Sequence, residues 1–241
     1  MPFTLSHPAL VLPLKYLPNR WFSMTGLIIG SLTPDFEYFF RMSTKSIYSH
    51  PIVGLFWFDL PLGILLCFLY HDLIRNSLFE DLPRFLRSRF SNFKQFAWNE
   101  YFKSSWIIII LSIFIGGVSH IFWDSFTHAH GYFVQFIPAL SNKVSLFGWQ
   151  IPIFKVLQHA SSLIGGLVIL FAIARIPIDI GIRVQFNLKY WSLIILITCI
   201  IIFLRFFNGI DLKSYGNIFM TIISAGLIGL TLTSLLIRRK T

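Results

Sequence analysis

Residues 104–123 read SSWIIIILSIFIGGVSHIFW and contain no Asp, Glu, Lys or Arg. Those 20 residues are the length an α-helix needs to cross the hydrocarbon core of a bilayer. Backbone polar groups have no water to bind there, so only helices and closed barrels span. The stretch does not alternate as a barrel strand would, and it reads as a membrane-spanning helix. Three further runs lack charge in the same way: 156–174, 190–204 and 214–237. A fifth span is expected over residues 52–74, although Asp59 lies inside it and His71 and Asp72 near its end. Residues 21–32 are apolar too, but Thr33-Pro34-Asp35 cuts them short, which suits a buried or re-entrant segment.

Bulk composition agrees. The chain of 241 residues is 55% hydrophobic and 12% charged, about half the charged fraction of a soluble domain. Its mean hydropathy is +0.71. The opening MPFTLSHPALVLPLKYL has no basic leader and two internal prolines, so it is read as part of the folded chain rather than a signal peptide. Cys67 and Cys199 fall inside expected spans and carry no disulfide information. The expected fold is therefore all-α: a polytopic helical membrane protein with about five spans, six if residues 21–40 also cross, plus a buried or re-entrant N-terminal helical segment. We expect one helical membrane domain over 1–241, with 1–170 carrying the site and 190–241 forming a C-terminal pair of spans.

The net charge of +10 is read as topology, not as nucleic-acid binding. Basic residues flank the spans at Arg75, Arg84, Arg87, Arg89, Lys94, Lys103, Arg238, Arg239 and Lys240, and such clusters mark the cytoplasmic side. Five spans put these positions inside, with the C-terminus cytoplasmic, at the cell (inner) membrane. Six spans divide the charges more unevenly. Five are preferred because they place His7, Asp35, His50, His120, Asp124, His128, His130 and His159 together on the extracytoplasmic side.

Residues 117–133, GVSHIFWDSFTHAHGYF, hold the chemistry. On an α-helix, positions i, i+4 and i+8 stay within roughly 80° of arc, so His120, Asp124 and His128 share one face. Imidazole nitrogen and carboxylate oxygen at that spacing form half of a zinc-like metal site. The remaining ligands must come from elsewhere. His7, Asp35 and His50, each beside a proline, are the candidates, and ionisable groups at membrane depth mark functional sites. Glu37 follows Asp35 by two residues and points about 160° away on a helix, so it is set aside. Asp59 reads either as a helix cap or as functional. His71 and Asp72 read as the end of a helix. Gln158 and His159 open the next span as helix-end or substrate-contacting groups. Gly165, Gly166 and Gly226 read as sites of close helix packing. Bis-histidine haem is disfavoured because the neighbouring carboxylates are poor haem ligands.

Taken in order, MPFTLSHPALVLPL, GSLTPDFEYF, SHPIVGLFWFDLPLG, SHIFWDSFTHAHG and LQHASSLIGG resemble the bacterial membrane family known as domain of unknown function 4184. The order His, Asp, His, His-x-x-x-Asp, His also resembles zinc-dependent phospholipase C and inner-membrane metal-dependent hydrolases. That likeness implies that His7, Asp35, His50, His120 and Asp124 bind two closely spaced metals, with His128 or His130 as the next ligand. The soluble enzymes end in His-x-x-x-Glu, whereas Leu163 stands at that offset from His159. The expectation is a metal-dependent hydrolase with one or two zinc-like ions. Its substrate would be a phosphoester or a lipid of the envelope, met at the outer membrane face. The alternative is a non-enzymatic membrane protein whose His/Asp cluster is structural.

Overall fold

The computed structural model describes residues 3–18, 21–146, 148–181, 187–207, 209 and 213–237. Arg238, Arg239 and Lys240, which entered the topology argument, lie outside the described residues. Among the described residues the regular structure is helical but for one hairpin. Its helices are α1 (Pro8–Val11), α2 (Met24–Gly30) and α3 (Thr33–Arg41), then α4 (Ile52–Asp81), α5 (Arg84–Phe90), α6 (Trp98–Thr127), α7 (Tyr132–Phe136), α8 (Ile153–Ala174), α9 (Leu188–Phe207) and α10 (Tyr215–Leu236). Strands β1 (Lys143–Leu146) and β2 (Trp149–Pro152) pair antiparallel, with Val144 opposite Ile151.

Among the described residues five helices, α4, α6, α8, α9 and α10, are long and apolar enough to cross a membrane. Neither α2, with 7 residues, nor α3, with 9, has the length to do so. The exposed faces match lipid as solvent: along α8, Leu163, Ile164, Leu167 and Phe171 are all more than half exposed. Apolar surface of that extent is what a bilayer covers.

The chain forms two compact units. One comprises Met1–Asp35, Ser49–Ile64 and Ser105–Ala174; the other Phe36–Tyr48, Leu65–Ser104 and Arg175–Thr241. The boundary within α6 falls at Ser105, whose φ of −136° and ψ of 24° depart from helical values.

In the first unit α2 crosses α6 with backbone against backbone. Ser23 starts α2, its hydroxyl accepting from Gly26 N–H at 3.3 Å while its own N–H donates to Ser112 Oγ at 2.8 Å. A Cβ on Gly26 would sit 2.8 Å from the Ile109 carbonyl oxygen; one on Gly30 would strike the Ile113 backbone, and one on Gly116 would strike Leu27. Only residues without side chains permit such an approach, the device helices use when lipid offers no hydrophobic drive to associate. The stripe Ser112, Gly116, His120, Asp124 advances in steps of four along α6, so the face that makes the crossing is also the face that carries the polar groups. The leading segment packs on α8: a Cβ on Gly165 would meet Ser6 Cβ and O at 2.8 Å, and Phe3 N–H donates to Ser162 Oγ at 2.9 Å. Gly165 thus serves close packing as expected. Gly166 and Gly226 do not, since added Cβ atoms there would meet nothing within 4 Å.

In the second unit α9 and α10 pack together, with Gly229 against Thr198 Oγ1 and the Ile194 carbonyl. Ser224 Oγ donates to Phe39 O at 2.7 Å, and Trp191 Nε1 donates to Asp81 O at 2.8 Å. The span expected to end near residue 74 runs on to Asp81, so His71 is not at a helix end. It lies in a π-helical segment, Leu69–Ile74, where its ring stacks on Trp98 at 4.4 Å and meets Arg75 Nη1 at 3.0 Å. Arg75 in turn donates to the carbonyls of Phe96 at 2.8 Å and Lys94 at 3.1 Å. The guanidinium satisfies loop carbonyls, and the polar residues are absorbed without breaking the helix. Asp59 likewise is no cap: it lies inside α4, in the π-helical segment Leu55–Asp59.

Candidate metal centre

His120 and Asp124 leave α6 on the side of the crossing. His120 is fully buried, and its Nδ1 lies 2.7 Å from Ser31 O. A carbonyl only accepts, so Nδ1 carries the hydrogen, and in the neutral ring Nε2 presents its lone pair. Asp35 opens α3 in its first turn, four residues beyond Ser31, and so arrives beside the same ring. His50 follows buried Ser49, whose hydroxyl lies 3.0 Å from His50 Nδ1.

Four atoms converge: Asp35 Oδ1, His50 Nε2, His120 Nε2 and Asp124 Oδ2. His120 Nε2 lies 3.5 Å from each carboxylate oxygen. His50 Nε2 lies 3.6 Å from Asp124 Oδ2 and 3.9 Å from Asp35 Oδ1. One ligand atom from each of the four residues fits within 4.8 Å of all the others. Tetrahedral zinc with ligands at about 2.0–2.1 Å separates them by about 3.3–3.4 Å, so these separations are close to a coordination shell. They are too long for hydrogen bonds.

Three of the atoms, Asp35 Oδ1, His120 Nε2 and Asp124 Oδ2, are buried and find no hydrogen-bond partner among the described residues. Buried polar atoms in native proteins are paired or bind an ion. Here three that lack a hydrogen bond, and meet one another only at ion-pair distance, face a common point. Two carboxylates and two imidazoles are a donor set for zinc or a neighbouring transition metal, and one divalent cation neutralises the two negative charges. Burial opposes ionisation of Asp35, yet without an ion the His120 and His7 rings beside it, in their protonated form, outweigh that and hold its carboxyl below the usual value.

The other expected ligands lie around this group. His7 is buried between the turn Thr4–Ser6 and α1. Its ring stacks on His120 at 3.7 Å, with Nε2 3.2 Å from Asp124 Oδ1 and Nδ1 3.2 Å from Thr4 O. His128 stands just past the end of α6, its Nδ1 3.0 Å from Asp124 O and 3.6 Å from Asp124 Oδ2. His130 and His159 are exposed and outside the converging group. Glu37 turns away as its spacing implies: it accepts from Arg41 Nε at 2.8 Å, from Ser46 Oγ at 3.0 Å and from Tyr48 N–H at 2.8 Å. Gln158 is buried, with Oε1 accepting from Lys155 Nζ at 2.8 Å. Asp59 is buried but lies outside the group.

Sequence reasoning missed Thr4, whose hydroxyl donates to Asp35 Oδ2 at 2.5 Å. It also missed the Ser31 carbonyl that orients His120. A backbone acceptor leaves no mark in a sequence, and Thr4 could be found only by asking what the His7 turn carries one turn earlier. The group is unevenly covered: side-chain exposure is 0% at Asp35 and His120 and 7% at Asp124, against 24% at His50 and 29% at His128. It opens on the His50 and His128 side. No curated protein and no solved structure matches the chain. The sequence profile of the family described as Domain of unknown function (DUF4184) matches residues 1–235, a stretch that includes every residue of the converging group, so the chain belongs to that family.

Proposed function

We propose that this protein is an integral membrane hydrolase that works with a divalent, zinc-like ion held by Asp35, His50, His120 and Asp124. Its substrate would be a phosphoester or lipid head group at the extracytoplasmic face of the bacterial inner membrane. The observation that carries the reading is the convergence of four ligand atoms, three of them buried and without hydrogen bonds. An ion there would lower the pKa of a bound water and polarise an ester oxygen. The partial exposure of His50 and His128 supports access for substrate from one side. The positive-inside rule, applied to the basic residues of 75–103 and 175–189, supports a cytoplasmic C-terminus for a five-span chain.

A structural metal is the second reading. Four protein ligands complete a tetrahedron, as in closed structural sites, whereas catalytic sites keep a position open. One preparation separates the two. Detergent-purified protein is expected to contain about one zinc-like ion per chain and to hydrolyse a phosphoester or phospholipid, with both properties lost in His120→Ala and Asp124→Ala. Metal without turnover of any such substrate supports the structural reading. Protein that neither retains nor takes up metal contradicts both. Orientation is tested with Asn142→Cys, on an exposed loop: an impermeant thiol reagent should label it in intact cells, and protection there would reverse the topology.

A further inference from the structure

The two carboxylates of the converging group are each half committed. Asp35 Oδ1 faces the common point, while Asp35 Oδ2 accepts the Thr4 hydroxyl at 2.5 Å. Asp124 Oδ2 faces the same point, while Asp124 Oδ1 is held by His7 Nε2 at 3.2 Å. Both outer contacts come from one short segment. Thr4 and His7 lie three residues apart in consecutive turns, and Thr4 O lies 3.2 Å from His7 Nδ1; the imidazolium form of the ring donates to both Thr4 O and Asp124 Oδ1. Both residues are buried, at 5% and 1% exposure. The segment is pinned from behind: Ser6 Oγ donates to Phe3 O at 2.6 Å, Ser6 lies against Gly165, and Phe3 N–H is tied to Ser162.

From this we infer that Thr4 and His7 are positioning residues that restrict Asp35 and Asp124 to one metal-facing oxygen each, and so select a small four-coordinate cation over calcium. The inference rests on the metal reading proposed above. Its physical basis is donor count. Calcium takes six to eight oxygens and readily uses both oxygens of a carboxylate. For Asp35 to bind through both, Oδ2 would have to turn toward the ion and share its lone pairs between it and the Thr4 hydroxyl, and Asp124 Oδ1 would have to do the same with His7, which weakens or bends each contact. With both contacts intact the chain offers four atoms, which suits zinc or cobalt and leaves calcium short. Partners of this kind orient ligands and tune affinity without touching the ion. His7 stacks on His120 while holding Asp124, so one ring braces two members of the group.

The test uses purified full-length protein loaded with Co2+, whose visible absorption is intense when four-coordinate and faint when six-coordinate, with Ca2+ as competitor. Wild type should bind about one equivalent, show the intense band and resist a large excess of Ca2+. Thr4→Val keeps the shape of the side chain and removes the donor. It should bind Co2+ about 10–100-fold more weakly, lose band intensity and become sensitive to Ca2+. Thr4→Ser restores the hydroxyl and should restore all three properties, which a generally damaged protein would not do. Unchanged affinity and spectrum in Thr4→Val, with wild type binding normally, would overturn this inference and leave the metal centre standing. A second equivalent in wild type that disappears in His7→Gln would overturn it too, because His7 would then be a ligand. Failure of wild type to bind Co2+ would remove the metal reading and this inference together.

Discussion

Replacing Gly30 by alanine adds one methyl group, yet it should be felt at the metal centre. The new Cβ would lie 2.7 Å from both Cα and C of Ile113, and closer still to its carbonyl oxygen. Carbon atoms rest about 3.5–4.0 Å apart, so α2 and α6 must separate by about 1 Å. The neighbour is backbone, which cannot swing aside. The next polar contact along the crossing is His120 Nδ1 to Ser31 O, at 2.7 Å. Lengthened by that amount it reaches about 3.7 Å and is no longer a hydrogen bond. The separation of Asp35 from His120, now 3.5 Å, grows in the same direction, past the span of a tetrahedral ion. Overpacking of this kind costs about 1–3 kcal/mol, and loss of a bond that orients a ligand weakens metal binding about 10–100-fold. The assay is zinc competition against a chromophoric chelator, with thermal unfolding in the same detergent. Gly166→Ala is the control, since its added Cβ meets nothing within 4 Å; it should leave both readings unchanged. Wild-type zinc affinity in Gly30→Ala would refute the argument that the glycine crossing sets the site, and so would equal damage from Gly166→Ala.

Further expectations concern single groups. Asp124→Asn keeps the volume but removes the charge and one acceptor of the converging set; metal content should fall well below one ion per chain, and elemental analysis of the purified variant would measure it. His50→Ala should lose metal whereas His159→Ala should keep it, because only the first lies in the group; equal metal content in the two would count against the assignment. Arg75→Ala strands the carbonyls of Phe96 and Lys94. It should cost about 1–3 kcal/mol of stability while leaving metal stoichiometry unchanged, as read by thermal unfolding alongside elemental analysis.

Much of this architecture was legible from charge and spacing. Residues 104–123 announce a span because none of the 20 is Asp, Glu, Lys or Arg, and the i, i+4 spacing of His120 and Asp124 fixes their common face whatever surrounds them. Asp35 and His50 stood out as ionisable groups beside prolines at helix edges, and both arrive at the same point. What stayed hidden depends on long-range packing. Glycines look alike in sequence, yet Gly165 meets Ser6 whereas Gly166 and Gly226 meet nothing, and the decisive approaches, Gly26 to Ile109 and Ser112 and Gly30 to Ile113 and Gly116, cannot be matched before the helices are placed. The π-helical turns holding Asp59 and His71 are unreadable for the same reason, so the helix-end reading of His71 and the cap alternative for Asp59 both fail. Thr4 was missed because its partner, Asp35, lies 31 residues away.

X-ray absorption at the metal edge tests the centre most directly, on protein purified in detergent and resupplied with Zn2+. The account predicts about one ion per chain with four nitrogen or oxygen neighbours at about 2.0–2.2 Å and the multiple-scattering signature of two imidazoles. Zinc that fails to bind, a shell containing sulfur, or a spectrum without imidazole scattering would contradict it.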